Sequence, residues 1–169
     1  MIGCCITKNI KDVAYENLLK YSLEKSDAFM LVYFSYKPDE RMKKIARKIH
    51  DGLRTYKIKK RYNPIWPNTR SLNQFEHQYK IVFYRAEPAS LDYLLLCSGL
   101  LDWEYPSYPM DLCFFKDGYC WFYTTPHEEY GYIYLEDENE MKILENLGVE
   151  FEYYDKLDNP DLFYEDYTV

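Results

Sequence analysis

The sequence predicts an α+β fold: a single domain with a mixed or antiparallel sheet, an aromatic-rich three-strand meander and about four helices packed on it. Three observations lead there. Segments with helical period and segments with strand period do not alternate strictly, which argues against a doubly wound parallel sheet. The stretch DLCFFKDGYCWFYTTPHEEYGYIYLED, residues 111–137, places an Asp-Gly turn signal between two aromatic runs and a second turn before a third run, so three strands follow one another directly. The 169 residues, 47% hydrophobic and without a long Gly, Ser or Pro-rich linker, supply one core rather than two.

The elements follow in order. Ile10, Val13, Ala14, Asn17, Leu18 and Tyr21 recur at helical spacing behind Asn9, a candidate N-cap, and this first helix ends near Ser26. Ala28 to Phe34 is a continuous apolar run, the pattern of a strand covered on both faces. Pro38 suits a first helical turn, and Asp39 and Glu40 suit its positive end. Met42, Ile45, Ala46, Ile49 and Leu53 then give an apolar stripe, so a second helix is expected over 38–54 with Lys43, Lys44, Arg47, Lys48 and Arg54 outside. Residues 62–77 hold two prolines and many turn formers and are expected to be a loop with Trp66 tucked into the body; QYKIVFYRAE, 78–87, resumes the sheet. A third helix begins at Pro88 to Ser90, shares Leu91, Leu94, Leu95 and Ser98 on one face, and stops at Gly99 or before Pro106 and Pro109. After the meander, Asp137 to Glu140 forms a capping box ahead of Ile143, Leu144 and Leu147, with Gly148 as the stop. Val149 to Tyr153 alternates with period two, as an edge or antiparallel strand does. The chain thus divides into a helix, strand and basic-helix region (1–61), a sheet-rich body (78–154) and an acidic aromatic tail (155–169), which either covers the body or joins a partner surface.

Turn chemistry sorts the meander's side chains. With Asp117-Gly118 as a two-residue turn, Phe115 faces Cys120, Phe114 faces Trp121 and Cys113 faces Phe122. With Pro126 to Glu129 as a four-residue loop, Thr125 faces Tyr130, Tyr123 faces Tyr132, Phe122 faces Ile133 and Trp121 faces Tyr134. One face then holds Asp111, Cys113, Phe115, Cys120, Phe122, Thr124, Ile133 and Leu135 and is the better core candidate. The other holds Leu112, Phe114, Trp121, Tyr123, Tyr132 and Tyr134, whose hydroxyl and indole groups need water or polar partners.

Charge is unevenly spread. From Arg41 to Arg61 ten bases stand against one acid, whereas from His127 to Val169 fourteen acids stand against two bases, within a net charge of −7. Either two charged surfaces meet different partners, or a basic helix neutralises the acidic end of its own fold. Five cysteines without C-x-x-C spacing fit reduced thiols of a cytoplasmic protein better than a disulfide framework or a zinc site. The weaker alternative is a metal site from Cys4, Cys5 and His127; no metal or other cofactor is expected. No apolar run has the length of a membrane helix, and MIGCCITKNIKD lacks the pattern of a secretory signal.

The segments IWPNT (65–69), DLCFF (111–115) and CWFYTTPHEEYGYI (120–133) resemble a loosely defined group of uncharacterised bacterial proteins with W-P-G-T-like and D-L-C-F…W…H-E-like segments, Asn68 standing at the glycine. The resemblance runs from Trp66 to Leu135. It implies a bacterial, cytoplasmic protein and assigns no reaction, substrate or catalytic residue.

Without a standard catalytic motif, the first functional expectation is an interaction protein, an immunity or antitoxin-like inhibitor of a basic partner such as a nuclease toxin. Trp121, Tyr123, Tyr132 and Tyr134 would be its anchors, and Glu128, Glu129, Glu150 and Glu152 its charge complement. A small hydrolase working through Asp111, His127 and Glu128 is the first alternative. Nucleic-acid binding through Arg41 to Arg61 is the second, opposed by the overall acidity.

Overall fold

The computed structural model describes residues 1–34, 42–71 and 79–168. Its strands are β1 (Ile2–Ile6), β2 (Ala28–Phe34), β3 (Lys57–Tyr62), β4 (Ile65–Trp66), β5 (Thr69–Arg70), β6 (Tyr79–Arg85), β7 (Met110–Lys116), β8 (Tyr119–Thr125), β9 (Tyr130–Leu135) and β10 (Tyr153–Lys156). Its helices are α1 (Asp12–Lys25), α2 (Lys44–Gly52), α3 (Leu91–Leu94) and α4 (Glu138–Asn146). Eight strands form one sheet in the order β10-β1-β9-β8-β7-β2-β6-β3, with every neighbouring pair antiparallel, and β4 and β5 make a separate hairpin. The expected α+β architecture is the one found.

Strand alternation divides the interior in two. Phe29, Leu31 and Tyr33 of β2 join the cluster under the helices, which takes Leu18 and Leu19 from α1, Ile49 from α2, Leu94 from α3 and Leu144 from α4. Ala28, Met30 and Val32 join a smaller cluster on the opposite face, closed by Trp66 from the β4–β5 hairpin and Tyr167 from the tail. The strand expected to be covered on both faces is so covered.

Several elements differ from expectation for physical reasons. β1 was not anticipated: it is buried on both faces, so its five residues show no alternation. Asn9 does not cap α1. Its side chain accepts from the Leu101 N–H at 2.8 Å and donates to Asp102 at 2.8 Å, and the helix begins at Asp12. The buried face of α1 is Tyr15, Leu18, Leu19, Ser22 and Leu23, leaving Val13 71% exposed. The second helix is described from Lys44, its expected start at 38–41 lying outside the described residues, and Ile45 of its stripe is exposed. Residues 57–62, in the basic segment, form the edge strand β3, where lysines suit a sheet edge by discouraging further pairing. The expected loop at 62–77 contains the β4–β5 hairpin, with Trp66 buried as expected; 72–78 lie outside the described residues. The last strand is Tyr153–Lys156 rather than 149–153, and it is an antiparallel edge strand.

The acidic tail lies on the face away from the helices. The Tyr167 ring stacks on Phe83, with centroids 5.8 Å apart, while its hydroxyl donates to Asp27 and accepts from the Gly118 N–H at 3.1 Å. Arg61 pairs with Glu165 at 2.9 Å, and Lys59 donates to the Asp166 carbonyl at 2.6 Å. Basic and acidic ends of the fold therefore meet, through β3 rather than through a helix.

The expected side-chain cap of α4 is present, with a return bond one residue ahead of the cap. Asp137 accepts from the Glu140 N–H at 2.9 Å, and Glu140 returns to the Glu136 N–H at 2.8 Å. Glu140 also accepts from Tyr21 and Lys25, so one carboxylate joins α4 to α1. Burial opposes its charge, but these hydrogen bonds prevail and hold its pKa below the ordinary glutamate value. A depressed folded pKa gives stability that is present above the unfolded value and lost as pH falls through the folded one. Glu140→Ala is expected to cost about 1–3 kcal/mol at neutral pH, with the deficit shrinking as acid protonates the parent's carboxyl; urea unfolding at a series of pH values measures it.

Candidate functional site

The site is organised by two turns and one bulge. Asp117 and Gly118 have φ of 51° and 84°, the two positive values a type I′ hairpin needs. Phe115 pairs with Cys120 as expected, but the register then shifts: Phe114 pairs with Phe122, and Cys113 with Tyr123. Trp121 is the extra residue. A bulge of this kind places two consecutive side chains on one face, and Trp121 and Phe122 both join the helical cluster.

The faces are corrected accordingly. Trp121 is not on the outer aromatic face. It is 5% exposed, donates from Nε1 to Ser26 Oγ at 2.9 Å and lies 4.4 Å beneath the Lys25 ammonium. Phe122, Ile133 and Leu135 share its side, whereas Cys113, Phe115 and Cys120 belong to the opposite cluster. Both of these cysteines are buried and free, as expected. Beyond the bulge the predicted β8–β9 register is the one observed, Phe122 with Ile133, Tyr123 with Tyr132 and Thr125 with Tyr130.

Tyr123, Tyr132 and Tyr134 thus form a half-buried ladder on the non-helical face. Tyr123 and Tyr132 stack at 5.8 Å and 15°, and Tyr132 meets Tyr134 edge-on at 5.0 Å. Gly3 on β1 leaves room for this: a Cβ there would fall 2.0 Å from the Tyr132 hydroxyl oxygen. Burial, and then the neighbouring tyrosines, push the Tyr123 and Tyr134 phenols above their usual range; burial and Asp155 do so for Tyr132. All three remain neutral donors and acceptors at ordinary pH.

The turn after β8, a single 3-10 turn at Pro126–Glu128 followed by Glu129 at φ 61°, separates two concavities. On one side Glu128 and Glu129 join Glu152, Tyr123, Tyr130, Tyr132, Tyr153, Cys5 and Thr7 around an open cavity of about 600 Å³. Thr7 donates to Glu152, while Glu150 points into the adjoining groove and pairs with Lys8 at 2.7 Å. On the other side His127 reaches the rim of a cavity of about 470 Å³ that also contains Asp111. The hydrolase trio is therefore divided: Asp111 and His127 line one cavity and Glu128 the other. Among the described residues no hydrogen bond joins His127 to either acid.

Thr7, Tyr130 and Tyr153 were not singled out as site residues by sequence, and Cys5 only as a possible metal ligand. Cys5, Thr7 and Tyr153 reach the cavity because β1 inserts between β9 and β10, a topology that no local pattern announces. Cys4 and Cys5 point to opposite faces of β1, which divides the weaker metal reading, and among the described residues no three His, Cys, Asp or Glu are placed to hold a metal. Burial, then Glu145 and Glu140, push the Cys4 thiol up to about 12.

The resembling segments do have structural work. Asn68, at the position of glycine, has φ 57°, a conformation asparagine tolerates better than most residues, and its side chain donates to Thr125 Oγ1 at 2.9 Å. Trp66 donates to Asp111 at 2.8 Å. No protein-family model, curated protein or solved structure matches the chain.

Asp111 is 4% exposed, and burial raises its pKa to about 6 against the lowering effects of Trp66 and His127. The folded chain thus holds this proton to higher pH than the unfolded chain, so the group's contribution to stability falls from about pH 3.8 to about 6 and stays lower above. Asparagine keeps an oxygen for Trp66 and accepts the positive φ of 55°. Asp111→Asn is expected to remove that slope and to stabilise the fold above pH 6 by on the order of 1–2 kcal/mol, read by urea titrations across the window.

Proposed function

We propose that this chain is an interaction protein, an immunity or antitoxin-like inhibitor that binds a basic protein partner such as a nuclease toxin, in a bacterial cytoplasm. The observation that carries the reading is the composition of the 600 Å³ cavity: four tyrosines and three glutamates, with no lysine or arginine among its described lining residues. A partner's Arg or Lys entering it would exchange water for carboxylates and tyrosine hydroxyls while its stem or guanidinium lay on the rings. Tyrosines that are already half-buried lose little freedom on binding, and exposed glutamates around them accelerate encounter with a basic surface.

Two other readings have less support. Asp111 and His127 share a cavity, which favours a small hydrolase, but Glu128 lines the other cavity, and among the described residues no hydrogen bond joins His127 to Asp111 or Glu128. In the basic segment, Arg61 and Lys59 are engaged by the tail, which weakens a nucleic-acid surface there.

The test is a binding measurement between the purified chain and the C-terminal domain of a toxin-like protein encoded beside it. Tyr132→Ala and the pair Glu128→Lys with Glu152→Lys are each expected to weaken the complex at least about tenfold. Trp121→Phe, beneath α1, should leave affinity within about twofold. Unchanged affinity in the first two variants would reject this surface.

A further inference from the structure

The second cavity, across the Pro126–Glu129 turn from the tyrosine ladder, has a wall of contiguous rings. Tyr105 meets Phe34 at 4.5 Å, Phe34 meets Tyr79 at 5.2 Å and Tyr79 meets Trp66 at 5.0 Å. The interplanar angles are 73°, 35° and 55°, so neighbouring rings are tilted against one another. Such walls make the corner of a box, whereas a flat heterocycle is held by parallel planes.

The floor is polar and incompletely served. Asp111 Oδ2 accepts from Trp66, but its Oδ1 has no hydrogen-bond partner among the described residues. Thr69 Oγ1, also in the lining, is buried without a partner. Glu104, Arg70 and His127 stand at the exposed rim. A carboxylate this deeply buried, with one neutral donor and, among the described residues, no cation hydrogen-bonded to it, is costly for a fold unless something charged comes to it.

We infer that this cavity is a receptor for a small organic cation of the alkylated ammonium class, its alkyl groups against the rings and its charge balanced by Asp111. Alkylated ammonium ions spread their charge over methyl groups and are weakly hydrated, so tilted aromatic faces replace their water at low cost. A hydroxyl on the same molecule would meet Thr69. The cavity of about 470 Å³ admits an occupant of this size. The inference is independent of the partner surface proposed above, which lies on the other side of the turn.

Ionisation of Asp111 supplies a second signature. The groups that act on it are Trp66, which donates to it, the titratable side chains of Glu104, His127 and, from across the turn, Glu128, and Arg70 at the rim. Because burial holds its proton to about pH 6, a cation should bind more tightly as pH rises through that value.

The experiment titrates the purified chain with choline, with its uncharged isostere 3,3-dimethylbutan-1-ol and with adenosine, using calorimetry and the Trp66 indole N–H resonance. Choline is expected to saturate and to bind at least about tenfold more tightly than the isostere. Tyr105→Ala and Asp111→Asn should each weaken choline at least about fivefold; an unchanged amide spectrum away from the cavity shows that each variant is folded. The inference is overturned if the isostere binds as well as choline, if adenosine binds in its place, if none binds, or if folded Asp111→Asn retains full affinity.

Discussion

An eight-stranded antiparallel sheet has two large faces, and this chain has helices for one of them. All four helices bury their apolar sides against the same surface, where Phe29, Phe114, Trp121 and Ile133 meet them. The other surface is closed piecewise, by the β4–β5 hairpin through Trp66 and by the tail through Tyr167. Those pieces cover the strands on the β2 side and the start of β8, and leave Tyr123, Tyr132 and Tyr134 of β8 and β9 only half-buried. Half-buried tyrosines suit that exposure, since each ring covers sheet while its hydroxyl stays wet. The shortage of cover explains why both cavities lie on one side of the molecule.

The charge layout follows from the same closure. Lys59 and Arg61 on edge strand β3 meet Glu165 and the Asp166 carbonyl, which fixes the tail across the sheet. Arg61 and Glu165 are 18% and 12% exposed, unlike the open pair Lys8 and Glu150 at 77% and 69%, so the first pair is the better candidate for a structural contribution. The acids that remain unpaired around Tyr132 and Tyr153 are those available to a partner.

What could be read in the sequence was local chemistry. The Asp117-Gly118 turn, the loop at 126–129, the Asp137 cap and the doubly covered Ala28–Phe34 strand each rest on a few neighbouring residues, and each is where it was expected. What stayed hidden depends on distant partners. β1 reads as a short apolar run because both of its faces are buried, β3 reads as a solvated basic segment because it is an edge, and Asn9 spends its side chain on residues more than ninety positions away. The tyrosines of the candidate site were legible; the separation of Glu128 from His127 was not, because it arises from one turn of 3-10 geometry.

The bulge at Trp121 works on the meander as an inserted letter works on a message read in twos. Up to Cys120 the strands keep one phase; from Phe122 onward β8, and β9 paired to it, keep the other. Were the phase unbroken, Tyr123, Tyr132 and Tyr134 would face the helices, and Ile133 and Leu135 would face solvent. Phenol groups would then lie in a dry interior and aliphatic chains in water, an inversion costly on both counts. A single supernumerary residue therefore decides which side of this protein is wet.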